Sequence, residues 1–299
     1  MSERFHFMKV LAAYRTWAIV LLITAGTVAS SAQYKQPNAI NPHDGLTVQL
    51  VKTGLYVING QGSNSVLRLS ASGLMVVDGK LPGNYDALRA RAKKISDQPI
   101  RALILTGCDE SSTGTNAKFV ENGSHIVVQE NAKQNLAACN LSGDAVAPAV
   151  VTYGSEYQIH MGGIEAKVLH FGNAYSNSDT VVYFPNLKVV AIGDLFSAKP
   201  APDFAAGGSL VGWGVVLAQV LKLDFDVAIP STGPTITRAE LEAFKTKIDT
   251  LVSRATGLVR QGVPEDQLMA QLKTGDLGWQ FSFTGDQLDR FYAELSRTN

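Results

Sequence analysis

Five chemically capable side chains are consecutive in one short stretch of the chain, residues 108–112 with the sequence Cys-Asp-Glu-Ser-Ser. The thiol or a hydroxyl could act as a nucleophile, and the two carboxylates could bind a cation or transfer protons. The stretch follows an apolar, strand-like run, Ala102–Leu105, and precedes a Gly-Thr-Asn sequence where a helix is expected to begin. Any chemistry is therefore expected in a loop between a buried strand and a helix.

Two alternative chemistries remain open for this loop. A nucleophile needs a neighbouring base and an oxyanion stabiliser, and the sequence places no histidine beside Cys108 or the two serines that follow. The adjacent acids also disfavour a thiolate. A calcium ion could instead be bound by Asp109, Glu110 and Asp194 together with loop carbonyl oxygens.

The elements that must position this loop change type along the first half of the chain. Between Leu46 and Val77, short strand-like runs separated by glycine turns predict an antiparallel sheet layer. Apolar residues then recur at helical spacing over Tyr85–Ile95, and strand, helix and strand patterns follow over 100–105, 115–121 and 126–128. This order is typical of βαβ units.

The second half repeats the succession of strands and helices. Helices are predicted over Asn131–Ala138 and Leu210–Leu221, and Thr237-x-x-Glu240 forms a capping box that begins a helix ending at Arg260. No linker rich in Pro, Gly or Ser divides the later chain, so one domain over residues 46–299 is expected. Two facing sheets with helices outside them would bury this pattern. The predicted fold class is α/β (α+β in some schemes), a four-layer αββα sandwich.

The N-terminal segment has the features of an export signal. Basic residues precede the apolar run Trp17–Val28, and Ser30-Ser31-Ala32 offers small residues for cleavage. We therefore expect a signal peptide over residues 1–32, an extended leader over 33–45 and a periplasmic or extracellular location. The alternative is an uncleaved N-terminal anchor; no later segment is long and apolar enough to span a membrane.

Bulk composition narrows the class of partner and leaves the cysteines undecided. The formal net charge is zero and no basic patch is evident, so nucleic acid is not expected as a partner. The two cysteines, Cys108 and Cys139, allow one disulfide in an exported protein. The alternative, two independent buried thiols, is the expectation here.

Five sequence blocks resemble the metallo-β-lactamase superfamily, in the order in which that superfamily has them. They are Asn64 with Leu74–Asp78, then Leu105–Asn116, Gly172–Pro185, Ile192–Phe196 and Ile229–Pro234. The second block is similar to the superfamily's metal loop, LTHxHxDHTGGN, and the fourth to its GDLF element. The resemblance runs from about Leu46 to the C-terminus and implies a four-layer αββα sandwich of the metallo-β-lactamase type.

The same resemblance implies where metal ions would lie. In the superfamily, His and Asp side chains hold one or two zinc ions, and a metal-bound water attacks the substrate. Zinc sites take about three N, S or carboxylate ligands, and only Asp109 and Asp194 remain here as weak candidates. No zinc cofactor is therefore expected. The corresponding positions, expected to line the former cleft, are Gly107, Asp109 and Tyr175 for the first metal and Ser111, Ser112, Asp194 and Thr232 for the second.

Other residues are expected to support the site. Asp78 and Asp179 are predicted to accept hydrogen bonds from backbone amides beside the strands. Among the histidines, His170 is the one whose strand leads into the third block, so its distance from the site is worth measuring.

Three hypotheses about function follow. The leading one is an exported, metal-free pseudoenzyme that binds a small molecule or a protein partner in the former active-site cleft. The second is a hydrolase of the ester, thioester or lactam class with a rearranged site, with or without metal. The third is a structural subunit beside an active paralogue, with Leu210–Leu221 as its candidate surface, although core packing is the favoured role of that helix. The oligomeric state stays open.

Overall fold

The computed structural model describes residues 45–135, 137–144, 146–197, 201–279 and 282–297. The expected signal peptide, and the expected leader except for its last residue, lie outside the described residues. The strands are β1 (Thr47–Lys52), β2 (Leu55–Asn59), β3 (Ser65–Ser70), β4 (Gly73–Val77), β5 (Ile100–Ile104), β6 (His125–Gln129), β7 (Val150–Tyr153), β8 (Glu156–Met161), β9 (Ile164–Leu169), β10 (Val181–Phe184), β11 (Val189–Gly193), β12 (Val227–Pro230) and β13 (Ile236–Thr237). The helices are α1 (Tyr85–Ile95), α2 (Glu110–Thr113), α3 (Asn116–Glu121), α4 (Leu210–Val220), α5 (Arg238–Arg260), α6 (Glu265–Gln271) and α7 (Asp286–Arg297).

The strands form two mixed sheets. The first has the order β1-β2-β3-β4-β5-β6-β7, antiparallel up to β4 and parallel from β4 to β7. The second has the order β13-β12-β11-β10-β9-β8, with one parallel pair, β11 and β12. The loops after β4, β5, β11 and β12 carry most of the residues that the sequence analysis singled out.

Three apolar clusters define four layers. Residues such as Val57 and Ile104 from the first sheet pack against Val168 and Phe184 from the second. A second cluster joins the outer face of the first sheet to α1 and α3, and a third joins the second sheet to α4, α5, α6 and α7. The predicted αββα sandwich is therefore confirmed, because the three clusters fill the spaces between four successive layers.

Individual elements agree with the sequence analysis to different degrees. The helix over Tyr85–Ile95 has the predicted bounds, and the Thr237 capping box forms with both of its hydrogen bonds. The helix expected over Asn131–Ala138 is wrong: the segment Glu130–Asn135 forms a 3-10 helix followed by a turn. Among the described helices, none has the length and apolarity needed to cross a membrane.

The helix α4 does not present the apolar assembly surface that was considered for it. Trp213 is fully buried, and its indole Nε1 donates a hydrogen bond to the carbonyl oxygen of Leu195 at 3.0 Å. The helix contributes to the core beneath the second sheet, with Val215 as a large apolar side chain left exposed. Core packing is therefore the role of this helix.

Candidate functional site

The loop after β5 is fixed to the end of β4 by Asp78. This buried carboxylate accepts a hydrogen bond from the backbone N–H of Thr106 at 2.8 Å and another from its hydroxyl at 2.6 Å. Burial raises the pKa of Asp78 to about 7, against the opposing effect of the Thr106 hydrogen bonds. Asp78 therefore holds the start of the loop in place, and it does not line the cavity described below.

A buried lysine next to Asp78 was missed by the sequence analysis. The Lys80 side chain is fully buried, and its Nζ donates to the carbonyl oxygens of Ile58, at 2.7 Å, and Ser63. Burial lowers the pKa of Lys80 to about 7, and the charge of Asp78 opposes this effect. The only available signal was a single Lys directly after the Val-Asp-Gly end of an apolar strand.

The two serines of the loop are hydrogen-bonded to the protein itself. The hydroxyls of Ser63 and Ser111 lie 3.0 Å apart, and the Ser63 N–H donates to the Ser111 carbonyl oxygen at 2.9 Å. Ser112 is buried, and its hydroxyl donates to the carbonyl oxygen of Asp109 at 2.9 Å. These contacts fix the loop and the start of α2.

Gly107 leaves space opposite a carboxylate. A Cβ atom built on this residue would lie 3.9 Å from Oδ2 of Asp194, and nothing else lies within 4 Å. Its φ is outside the left-handed region, so the backbone there would accept a larger side chain without strain. The position corresponds to a metal-binding histidine by resemblance, and its backbone is compatible with one.

Asp194 follows β11 and is bonded to the loop after β12. Its Oδ1 accepts a short hydrogen bond from the hydroxyl of Ser231. Burial raises the pKa of Asp194 to about 6; the Ser231 hydrogen bond opposes the shift and the charge of Asp109 adds to it. Thr232, the next residue along the loop, is exposed. The Asn64 side chain holds the same loop by donating to the carbonyl oxygens of Pro230 and Gly233, both at 2.9 Å.

Tyr175 and Asp109 form a direct contact at the implied first-metal position. The Tyr175 hydroxyl donates to Oδ2 of Asp109 at 3.1 Å. The Tyr175 ring packs edge-on against Trp213, with 6.3 Å between centroids. Burial raises the pKa of Asp109, with an opposing effect from Tyr175 and a smaller contribution in the same direction from Asp203. The pKa of Tyr175 is also raised, first by burial and then by the charge of Asp109.

Asp179 shapes the loop that carries Tyr175. Its buried carboxylate accepts hydrogen bonds from the Ala174 N–H at 3.1 Å, the Ser176 N–H at 3.0 Å and the Ser176 hydroxyl at 2.7 Å. Burial raises the pKa of Asp179 to about 7, opposed by the hydrogen bonds from Ser176. His170 contacts the same turn, because its Nδ1 lies 2.8 Å from the Asp179 carbonyl oxygen.

The two cysteines form a disulfide, with a distance of 2.07 Å between the sulfur atoms of Cys108 and Cys139. The expectation of two independent buried thiols is therefore wrong. The Asn116 side chain reinforces the link by donating to the carbonyl oxygen of Cys139 at 3.1 Å. Because its sulfur is bonded, Cys108 offers no thiolate in this state, and covalent catalysis through it is excluded while the disulfide is intact.

A cavity of about 450 Å³ opens beside this disulfide. Of the residues implied by the superfamily, Asp109 and Tyr175 line it, whereas Gly107, Ser111, Ser112, Asp194 and Thr232 do not. The segment 203–207 forms another part of the wall, and no sequence motif had pointed to it. Other lining residues are Glu110, Asn131, Ser178, Asp203, Phe204 and Arg290.

The donor set does not fit the superfamily's zinc sites. Glycine offers no side-chain ligand, and a neutral phenol or hydroxyl is a poor zinc ligand. The two remaining carboxylates already accept hydrogen bonds, Asp109 from Tyr175 and Asp194 from Ser231. In the described parts of the chain, no group of three or more His, Cys, Asp or Glu side chains could hold a metal ion. No chemical step is therefore assigned to zinc here.

The chain has the metallo-β-lactamase fold, as the sequence blocks predicted. The metallo-β-lactamase from Pontibacter korlensis superposes with a TM-score of 0.60 at 19% identity, over 68% of this chain and 99% of that one. The stereoselective inverting sec-alkylsulfatase Pisa1 from Pseudomonas sp. gives a TM-score of 0.58 at 16% identity, over 83% of this chain and 47% of that one.

A curated sequence relative is also found. The chain is 25% identical over 179 residues to the 2,4-dinitroanisole O-demethylase subunit alpha of Nocardioides sp. (strain JS1661). The match covers 60% of this chain and 54% of that protein, so the chain spans about half the length of the relative. No protein-family profile matches the chain.

Proposed function

We propose that this protein is an exported, metal-free pseudoenzyme of the metallo-β-lactamase fold that binds a small molecule in the former active-site cleft. The observation that carries the proposal is the contact between Tyr175 and Asp109. The phenol of Tyr175 is hydrogen-bonded to the carboxylate of Asp109. By resemblance, these two positions correspond to first-metal ligands in the superfamily. The cavity beside this pair remains open and has the size of a small-molecule site.

The second-metal positions support the same proposal. The hydroxyls of Ser111 and Ser112 are engaged within the loop, and Thr232 is exposed on the surface. Asp194 accepts a hydrogen bond from Ser231 and does not line the cavity. A zinc ion would have to displace existing hydrogen bonds and would find fewer than the three strong ligands that it requires.

Export is part of the proposal. Disulfides persist in oxidising compartments, and the bond between Cys108 and Cys139 is consistent with a periplasmic or extracellular location. Fractionation of the native host with an antibody to the chain would test this. Recovery of the full-length chain in the cytoplasm with free thiols would argue against export.

Metal content and hydrolysis test the central claim. The protein would be purified in its oxidised form, dialysed against zinc, and measured by plasma mass spectrometry before and after chelation. We expect far less than one zinc per chain and no turnover of ester, thioester or β-lactam substrates. Stoichiometric zinc, or a hydrolysis that chelators abolish, would overturn the proposal.

A hydrolase with a rearranged site is the second candidate. It is favoured by the raised pKa values of Asp109 and Asp194, since carboxyl groups tuned upward can act as general acids or bases near neutral pH. It predicts turnover of an ester, thioester or lactam that Asp109→Ala or Asp194→Ala removes. Turnover that survives both substitutions would sink this reading.

A structural subunit beside an active paralogue is the third candidate, and the name of the relative supports it, because that protein is a subunit alpha. The burial of α4 removes the surface first considered for assembly. Light scattering of the purified protein, alone and mixed with a co-purified enzyme, tests this candidate. A monomer that associates with no enzyme would count against it.

A further inference from the structure

The strand β1 carries exposed apolar side chains at the edge of the first sheet. Val48 is 42% exposed and Leu50 is 59% exposed. Thr47 and Gln49, whose side chains point to the opposite face, are exposed as well. Because β1 ends the strand order of its sheet, one side of its backbone has no partner strand among the described residues. A strand exposed in this way is a surface for pairing with another segment.

Val48 and Leu50 continue the apolar face that the helices of the first layer cover elsewhere. In the register of β1 and β2, Val48 lies opposite Ile58 and Leu50 lies opposite Tyr56. Ile58, Tyr56 and Leu46 all belong to the cluster between the first sheet and the helices α1 and α3. Residues directly opposite each other share one face of a sheet. The exposed pair therefore extends the outer apolar face of the sheet.

The edge of β1 is also uncharged. The residues from Thr47 to Val51 include no charged side chain, whereas β8, an edge strand of the second sheet, exposes Glu156 and His160. Charged side chains on an edge strand hinder pairing with a further strand. The register of β1 with β2 is regular from Thr47 to Leu50 and becomes irregular only after Leu50. This part of β1 is thus able to accept a neighbouring segment.

The chain enters β1 through a glycine with a left-handed backbone. Gly45 has a φ of 74° and is the first residue that the structure describes. The sequence His43-Asp44-Gly45 suits a three-residue hairpin loop, in which a type I turn is followed by a left-handed glycine. Such a loop reverses the chain. The residues before it would then run back along the free edge of β1.

The residues before this loop match the exposed face of β1. With residues 43–45 as the loop, Ile40 is opposite Val48 and diagonal to Leu50. Asn41 is opposite Thr47, on the other face of the sheet. This register places an apolar side chain against the exposed apolar pair and a polar side chain against a polar one.

A proline in the same segment is compatible with this register. Pro42 would lie opposite Leu46, and proline is tolerated on edge strands, where its missing N–H leaves no ladder bond unmade. The carbonyl oxygen of Leu46 already accepts a hydrogen bond from Nε of Arg91 at 3.4 Å. The N–H that proline lacks is therefore not needed by Leu46.

We propose that the free edge of β1 is the docking surface of the chain's own segment Ile40–Asp44. In this arrangement Ile40 packs on Val48 and Leu50. The segment lies outside the described residues and ends directly before Gly45. Residues 40–42 span about 10 Å when extended, which is enough to reach the level of Val48 after the loop. Covalent continuity also gives this segment a higher effective concentration at β1 than a second copy of the chain has.

Methyl NMR spectroscopy tests the contact directly. The purified protein would be labelled at the methyl groups of Ile, Leu and Val in a deuterated background. We expect nuclear Overhauser effects from the Ile40 methyl groups to those of Val48 and Leu50. Their absence would overturn the proposal. Effects that arise only between chains, in a sample that mixes two labelling patterns, would identify a second copy as the occupant and would also overturn it.

Two matched substitutions test the register. Ile40→Asp places a charge against the apolar pair, whereas Asn41→Asp places the same charge one residue away, on the opposite face. Because the charge opposes docking, we expect Ile40→Asp to accelerate amide hydrogen exchange at residues 47–50 about tenfold. Asn41→Asp should leave this exchange unchanged. Equal effects of the two substitutions, or no effect of Ile40→Asp, would contradict the proposed register.

A dye that binds exposed apolar surface locates the uncovered patch. Anilinonaphthalene sulfonate should fluoresce more strongly with Ile40→Asp than with the wild type, because Val48 and Leu50 lose their cover. Adding Leu50→Thr, which shortens the more exposed side chain, should reduce the signal towards the wild-type level. A signal that Leu50→Thr leaves unchanged would place the exposed surface elsewhere and refute the assignment to β1.

Discussion

Replacing Asp179 with asparagine tests how burial controls the loop that carries Tyr175. The carboxylate accepts hydrogen bonds from the backbone of Ala174 and from the backbone and hydroxyl of Ser176. Asp179→Asn preserves the shape and one acceptor oxygen but cannot ionise. The amide NH2 of the asparagine would face N–H and O–H groups that are themselves donors, and the lost hydrogen bonds should lower the free energy of unfolding by about 1–3 kcal/mol at any pH.

The ionisation of Asp179 also makes the free energy of unfolding depend on pH. Burial raises the pKa of Asp179 from 3.8 to about 7 in the folded protein. Between these two pKa values the folded state binds more protons than the unfolded state. The free energy of unfolding therefore decreases as the pH rises from 3.8 towards 7. Since one pKa unit corresponds to about 1.4 kcal/mol, the ionisation of Asp179 alone should destabilise the wild type by about 2 kcal/mol between pH 5 and pH 7.

Urea denaturation followed by tryptophan fluorescence, at pH 5 and at pH 7, measures both effects. The variant should lose stability at each pH, but its own decrease from pH 5 to pH 7 should be smaller than that of the wild type by about 2 kcal/mol. Asp78 and Lys80 also titrate near pH 7, and they cancel because both proteins retain them. Asp97→Asn, an exposed acid on the loop after α1, provides the matched control.

One result would refute this reasoning. If the free energies of unfolding of wild type and Asp179→Asn fall in parallel between pH 5 and pH 7, Asp179 is ionised throughout that range. Its hydrogen bonds with Ala174 and Ser176 would then outweigh the cost of burying the charge, and the pKa would not be raised.

Three further predictions concern the same scaffold. Cys139→Ala should lower the free energy of unfolding by about 3–4 kcal/mol, since the disulfide closes a loop with a sequence separation of 31; reductant should destabilise the wild type similarly and leave the variant unchanged. Thr237→Ala should cost about 1 kcal/mol in urea denaturation by removing the capping box at α5; no change would show that the cap is not needed. Combining Gly107→His, Asp109→His and Tyr175→His should create a zinc site, because residue 107 has room for a side chain facing Asp194. Zinc bound after dialysis would be measured by mass spectrometry. Absence of zinc in the folded triple variant would mean that the loops no longer converge.

The sequence predicted the fold because its informative blocks lie where strands end. Asp78 and the Leu105–Asn116 loop each follow a buried strand, and the Ile192–Phe196 block spans the end of another. The capping box was equally readable, because Thr237 and Glu240 interact within one helical turn. Such features depend on local spacing or on motif order.

Other parts of the site depend on distances that a single sequence does not encode. The Cα atoms of Cys108 and Cys139 lie 4.3 Å apart although they are 31 residues apart in the chain. Lys80 is buried because carbonyl oxygens of Ile58 and Ser63 converge on its amine. The wall formed by Asp203 belongs to a segment without a recognisable motif.

The disulfide between Cys108 and Cys139 makes the cavity a product of oxidative maturation. One wall residue belongs to the loop after β5 and the other to a segment that is synthesised later, so the bond forms only after both have been translated. In protein expressed in a reducing cytoplasm, the two parts of this wall would not be linked by the disulfide. A ligand screen on such a preparation would sample a different cavity, and the redox history of the sample becomes part of the definition of its binding site.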